Sequence, residues 1–373
     1  MKPWKEAASL LLVSKVSAKL SQTSNDYSNK VNTSASLNDE SDFDILMTKR
    51  SGKSSFLASA YVFPGGHVDI ADFSPLWWSL FESNGVSRQE LLSFSTSITG
   101  PRPPIVTECQ IIADSLGENF LPPDLGLRIT AIRETFEETG VLLVSDASTK
   151  LQHDSNRDLT NAISEWRLKV QSNANLFIEM CTELGLCPDI WSLFEWWNWL
   201  TPEALGHKRF DTIFYICFLD RKPDIRTDDK EVTLVEWMTT KKMLEEHCQR
   251  KAFLAPPQVY ELSRLMNFKD YKSLRDFSIN REKLGIQRWS PIMTGFKDGV
   301  RLSFPGDDTF GKTQEQSVKT MTSLEENRAK STNLNRIELL APVCTVYCNI
   351  KLPCGHYSPI TFPPLSTAIQ SRL

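Results

Sequence analysis

"RETFEETGV", Arg133 to Val141, is the stretch on which the fold turns. At about 100° per residue, Glu137 and Glu138 follow Glu134 by roughly 300° and 400°, so three carboxylates crowd an arc of roughly 100°. Ile129, Ile132 and Phe136 recur at spacings of three and four and form a separate apolar stripe. That stripe anchors the helix to a core and leaves the acids facing outward or into a cleft. The pattern predicts a helix from Gly126 to Thr139, capped by Asp124 and stopped by Gly140 in the left-handed conformation, with a strand over Val141 to Val144. Three like charges this close repel unless a cation neutralises them, and oxygen-only donors favour Mg2+ or Mn2+. Such an ion bridges phosphate oxygens and acidifies a bound water. Arg133, one turn before Glu137, is placed to orient that carboxylate.

Upstream, "FPGGHVD", Phe63 to Asp69, ends a strand at Pro64, and Gly65 and Gly66 allow close approach of backbone to a diphosphate. Together, "GG" and "RETFEETGV" resemble the Nudix box, the metal-binding loop-helix-loop of hydrolases that cleave nucleoside diphosphates linked to another moiety. The resemblance implies an α+β fold: an α/β/α sandwich around a mixed sheet, with an interrupted box and largely helical insertions. It implies catalytic roles for Arg133, Glu134 and Glu137, metal ligation by Glu134, Glu137 and Glu138, and phosphate contact by Gly65 and Gly66.

The family's box places its first glycine fourteen residues before the arginine, whereas Gly66 and Arg133 are sixty-seven apart (133 minus 66), leaving fifty-three extra residues. A further box glutamate, eight residues before the arginine, falls on Leu125. Its role is vacant or passes to Asp124, Glu118 or Asp69. A branch of the family that acts on coenzyme A and its thioesters in peroxisomes is similar in layout through "AASLLLV", "FPGGHVDIADF", "WLTPEALGHKRFDTIFYICFL", "FLAPPQVYEL" and "LSFPGDDTF". That likeness implies cleavage of coenzyme A or acyl-coenzyme A to 3′,5′-ADP and the corresponding 4′-phosphopantetheine. The catalytic base is a box glutamate or one of Glu231, Asp228 and Asp229. Arg50, Lys49, Lys53, Lys208 and Arg209 are the candidate cations for the substrate's 3′-phosphate. The inserted residues are expected to shape a lid or an acyl pocket. Diphosphatases of NADH, ADP-ribose or capped RNA, and a catalytically silent binding module, are the competing readings.

Outside these motifs the chain has 373 residues, 40% hydrophobic and 24% charged, with a net charge of -4, which gives no reason to expect nucleic acid or an anionic membrane as partner. Its longest apolar run near the start, Ala7 to Val13, is far too short to span a membrane and reads as a strand. The eight cysteines read as reduced thiols. Ser371, Arg372 and Leu373 resemble a peroxisomal address read by an import receptor; the alternative is a mitochondrial presequence at the other end.

The expected organisation is a Nudix domain over 1–280 and an extension over 281–373. The domain carries a flexible linker at 22–42 in the turn of a hairpin, an insert at 69–124 within the box, and a second, helical insert at 145–199. "RFDTIFYICFL", Arg209 to Leu219, is expected at the centre of the sheet, and "EVTLVEWM" as another strand. The tryptophans at 191, 196, 197 and 199 read as packing, with one ring available to adenine. His67 offers at most a weak phosphate contact. The Cys344, Cys348, Cys354 and His356 spacing is a poor match to zinc ligation.

Overall fold

The computed structural model describes residues 4–16, 41–53, 57–109, 119–146, 157–206, 209–227, 231–311 and 322–362. Most of the 22–42 linker, Glu118, Lys208, Asp228, Asp229 and the terminal Ser371 to Leu373 lie outside the described residues.

At the centre stands β1 (Lys5–Lys15), buried without a break from Glu6 to Ser14, as a strand covered on both faces must be. The first half of the sheet adds β2 (Phe43–Arg50), β3 (Ala60–Val62) and the short β4 (Gly65–His67). β5 (Val144–Asp146) and β6 (Leu186–Pro188) form a separate two-stranded ribbon. β7 (Leu193–Leu200), β8 (Phe210–Leu219), β9 (Val232–Met238), β10 (Phe253–Leu254) and β11 (Arg288–Trp289) complete the main sheet. Its order is β10-β3-β2-β1-β8-β7-β11, with β4 paired to β1 and β9 to β2.

β8 is central as expected, parallel to β1 from Lys5–Phe210 to Ser14–Leu219 and antiparallel to β7. The sheet is therefore mixed. β1 and β2 form the expected antiparallel pair, Val13 opposite Ile45. The acidic helix packs on β1, β4 and β8, and the helix Tyr271–Glu282 on β1 and β7.

Several boundaries differ from expectation for local reasons. The acidic helix begins at Pro123, because a proline at the first helical position needs no N–H partner. Asp124 is not its cap. It sits buried in the first turn, accepting from Arg128 Nε at 3.1 Å and pairing with Arg102 at 3.3 Å. Gly140 does stop the helix at φ 77°. The following strand covers Val144–Asp146, not Val141–Val144. The second insert holds helices Arg157–Val170 and Asn175–Leu184, but its last residues, "LFEWWNWL", are β7 of the main sheet. Aromatic side chains on a pleated surface prevail there over a helical reading.

The 69–124 insert is folded. After a 3-10 turn (Ile70–Phe73), helix Leu76–Ser83 presents Trp77 to Phe177 and Phe81 to Trp191, with ring centroids 5.8 and 5.9 Å apart, and helix Arg88–Ser95 presents Phe94 to Trp191 at 6.4 Å. Beyond residue 280 the chain first returns to the main sheet, Arg288 of β11 pairing with Asn198. It then builds an antiparallel sheet from β12 (Ile292–Gly295), β13 (Val300–Ser303), β14 (Asn335–Leu340) and β15 (Val343–Cys348). β15 packs on the helix Pro256–Leu265.

Candidate active site

The acidic helix buries the predicted stripe completely: Ile129, Ile132 and Phe136 are inaccessible to solvent. The register of 3.6 residues per turn then turns Glu134, Glu137 and Glu138 toward β4 and into one cavity of about 650 Å3. Gly65 and Gly66 approach from the other side. Gly65 (φ 148°) pairs with Ser9, where a Cβ would fall 2.3 Å from the Ala8 carbonyl oxygen. A Cβ on Gly66 would fall 2.3 Å from Glu134 Oε2. Glycine is thus required at both places, once by backbone and once by a carboxylate.

Arg133 is 3% exposed and organises the cluster. Its Nη1 donates to Glu134 Oε1 at 2.9 Å and Glu137 Oε1 at 2.7 Å, and its Nη2 to the His67 carbonyl at 3.0 Å. The other side of the guanidinium is clamped by Asp72, which accepts from Nε at 2.8 Å and Nη2 at 2.9 Å, and from Thr130 Oγ1 at 2.7 Å. Asp72 is the acid that the residue-by-residue reading missed. Counting back from Arg133 stops short of the insertion and lands on Leu125, which is buried core. Counting forward by the same spacing, six residues from Gly66, lands on Asp72. Of the three residues proposed for that role, the two that are described are committed elsewhere. Asp124 belongs to the Arg128 and Arg102 pairs; Asp69 caps the 3-10 turn by accepting from Ala71 N at 2.9 Å; Glu118 lies outside the described residues.

Burial raises the Glu134 carboxyl to about 7 against the opposing pull of Arg133, with Glu137 and Asp72 adding to the rise. Burial likewise lifts Glu137, and lifts Glu138 well above the usual range, Glu134 adding to the latter. Glu138 Oε2 accepts from Gly65 N at 3.1 Å. One oxygen of each glutamate is therefore engaged, and the second is not hydrogen-bonded among the described residues. The donors fit a hard divalent cation in kind. They do not yet converge: among the described residues no group of three acidic, His or Cys side chains is drawn close enough to clasp an ion. Arg133 is the present counter-charge, and a cation would have to draw the second oxygens together.

Of the expected phosphate contacts, Arg50 at the end of β2 lines the cavity, and its buried Nε has no partner among the described residues. Lys53 is exposed and does not line the cavity. Arg209 does not line it either: it is 8% exposed, donating from Nε to the Thr201 carbonyl at 3.0 Å and stacking over Trp4. The structure brings neither of them together with the carboxylates. An arginine next to a strand can serve the strand's own carbonyls as readily as a ligand. Glu231, the described member of the base candidates, lines the cavity beside the carboxylates.

Arg167, in the second insert, donates from Nε and Nη2 to the Glu137 carbonyl at 3.0 and 2.8 Å and from Nη2 to the Arg226 carbonyl at 2.9 Å. It thus places a cation at the negative end of the acidic helix and ties that end to the segment leading to Glu231. Trp196 and Trp199 donate from Nε1 to Glu261 at 2.7 and 2.9 Å and belong to the core, though Trp199 also lines the cavity. His356 is wedged between Trp196 and Trp197, ring centroids 4.8 and 5.0 Å away, and its Nε2–H meets the Trp196 carbonyl at 2.7 Å. Packing accounts for it. No helix among the described residues is long and apolar enough to cross a membrane.

The family model described as the NUDT19 Nudix domain matches residues 4–265. Similar proteins named acyl-coenzyme A diphosphatase NUDT19 include one from Xenopus laevis, 35% identical, the alignment covering 97% of each chain. One from Gallus gallus is 33% identical over 100% of this chain and 99% of its own. One from Homo sapiens is 32% identical over 79% and 80%. A matched domain over most of the chain, an acidic helix facing paired glycines and a guanidinium clamped between them place this chain in the Nudix hydrolase family, with the NUDT19 group.

Proposed function

We propose that the protein hydrolyses the diphosphate of coenzyme A and acyl-coenzyme A, giving 3′,5′-ADP and the corresponding 4′-phosphopantetheine. One observation carries the reading: a single cavity combines the three helix carboxylates and Glu231, two glycines, an Arg50 Nε with no partner among the described residues, and a long apolar lining. The names of the NUDT19 relatives agree with it.

Glu134, Glu137 and Glu138 would hold Mg2+ or Mn2+, which supplies neutralisation of the diphosphate charge and a more acidic water. Gly65 lets β4 lie against β1, and Gly66 leaves Glu134 its place beside the diphosphate. Arg50 meets its negative charge, and burial of the site strengthens that attraction. Arg133 holds Glu134 and Glu137 in fixed directions, so that little reorganisation is needed during the reaction. Glu231 accepts the proton of the attacking water as an oxygen–phosphorus bond forms and the bridging phosphorus–oxygen bond breaks.

The test is purified protein with Mg2+ or Mn2+, offered coenzyme A, acyl-coenzyme A, NADH and ADP-ribose, with products identified by mass. Release of 3′,5′-ADP from the coenzyme A substrates, and loss of about 100-fold or more of kcat in Glu138→Gln, are expected. Cleavage of NADH or ADP-ribose in preference, or a fully active Glu138→Gln, overturns the proposal.

A further inference from the structure

The cavity that contains the carboxylates also takes in Met293, Val300, Leu302 and Leu339, from three strands of the second sheet. In its register Met293 faces Leu302 across β12 and β13, and Val300 faces Leu339 across β13 and β14. Directly paired residues lie on one face of a sheet, and so do alternate residues of one strand, so all four share a face. Ile337 and Val346 share it too and are fully packed, 0% and 1% exposed. Met293, Val300 and Leu339 are only half-buried.

The opposite face is polar and its charged groups pair among themselves. Arg336 donates to Asp307 at 2.6 and 2.8 Å, Arg301 donates to Asn327 Oδ1 at 2.6 Å, and Arg328 pairs with Glu338. What remains is an apolar wall, faced by Trp199 and Phe304, opening on the same space as the carboxylates. None of the described residues of the 69–124 insert lines that space, so the expected role of the insert as an acyl pocket or lid is not supported.

We infer that the apolar face of the β12–β15 sheet is the subsite for the acyl chain, with Met293, Val300 and Leu339 setting the chain-length preference. The inference rests on the coenzyme A reading above. A saturated chain has no polar group to satisfy and matches a wall with none to offer, and each methylene buried there is worth about fourfold in affinity or kcat/KM. Free coenzyme A carries no such chain and does not use the wall.

The experiment compares wild type with Met293→Trp and, as an independent second variant, Val300→Phe. Both positions are half-buried, and thermal melting checks the fold. Turnover is measured with coenzyme A, acetyl-, octanoyl- and lauroyl-coenzyme A. Dissociation constants for coenzyme A and lauroyl-coenzyme A are measured separately in EDTA, where no turnover is needed. Wild type should bind lauroyl-coenzyme A at least about tenfold more tightly than coenzyme A. A variant displacing two methylenes should lose about fifteenfold for the lauroyl substrate and leave coenzyme A unchanged. Equal binding of the two ligands by wild type, or losses in the variants independent of chain length, overturns the inference while hydrolysis of coenzyme A stands. Failure to cleave any coenzyme A substrate removes the functional reading instead, and the binding comparison in EDTA still decides whether the wall accepts a chain.

Discussion

Gly66→Ala separates catalysis from folding at this site. A methyl at position 66 falls 2.3 Å from Glu134 Oε2, 2.5 Å from Cδ and 2.9 Å from Oε1, where ordinary contact begins at 3.4 Å. The carboxylate must therefore retreat by about 1 Å, a displacement that can cost about 100-fold in rate. Arg133 Nη1 holds its Oε1 at 2.9 Å, and Asp72 holds Arg133, so the group has no easy alternative position. Position 66 is not among the positive-φ glycines, so the backbone itself accepts alanine. The expected result is a fall of about 100-fold in kcat on coenzyme A with a change in Tm of only a few degrees. Gly65→Ala is the contrasting control. Its methyl meets the Ala8 carbonyl at 2.3 Å, so pairing of β4 with β1 and the stability of the fold should suffer. The reasoning is refuted if Gly66→Ala keeps kcat within about threefold, or if it loses as much Tm as Gly65→Ala.

Asp72→Ala leaves Arg133 buried with its Nε unpaired and should cost about 3–5 kcal/mol of stability in denaturant titration; a loss under about 1 kcal/mol would show that water replaces the carboxylate. Burial keeps the His356 imidazole well below its ordinary pKa, so the folded state stays neutral while the unfolded chain takes up a proton below about 6.5. That contribution is complete above the unfolded pKa and is lost as pH falls beneath it, by about 1.4 kcal/mol per pH unit. The stability difference between wild type and His356→Phe should change by about 1 kcal/mol between pH 6.5 and 5.5, the full slope being reached only below the unfolded pKa, and a pH-independent difference argues for a charged, solvated ring. Chelation should abolish turnover without unfolding the protein, since Arg133 already neutralises part of the cluster. Conversely, Mg2+ at 100 times its Kd should add about 2.7 kcal/mol to stability, and a melting curve insensitive to the ion would exclude binding by the folded state.

What was legible in the sequence was what is local. The Ile129, Ile132 and Phe136 stripe and the three glutamates obey one helical period, so their separation onto two faces follows from spacing alone. The run from Phe210 to Leu219 is apolar enough to require burial on both sides, which places it centrally. The acyl wall had no comparable signal. It exists only because Val300 pairs with Leu339, far along the chain, and each strand involved is too short to mark its own face. Arg209 illustrates the same limit from the other side: its charge is visible in sequence, while its commitment to the Thr201 carbonyl is a matter of tertiary contact.

The interrupted box resolves on the same terms. The insertion follows Asp72, so the stretch from Gly66 through Asp72 keeps the family's spacing, and only the approach to Arg133 is lengthened. The chain leaves at Phe73 and comes back at Leu121, whose N–H donates to the Phe73 carbonyl at 2.9 Å. Gly126 then packs directly on the Phe73 ring, close enough that a Cβ would fall 2.1 Å from it. The two halves are thus stitched immediately on either side of the insertion, and the Asp72 to Arg133 clamp forms across the seam. Closing a longer loop costs only about 0.6 kcal/mol per doubling of its length. The buried side chains of Trp77, Phe81, Leu91 and Ile105 offset a cost of that size many times over. A motif can therefore be split by a folded segment without penalty to its chemistry, provided the segment departs and returns at one point. Here the Phe73 to Leu121 hydrogen bond marks that point.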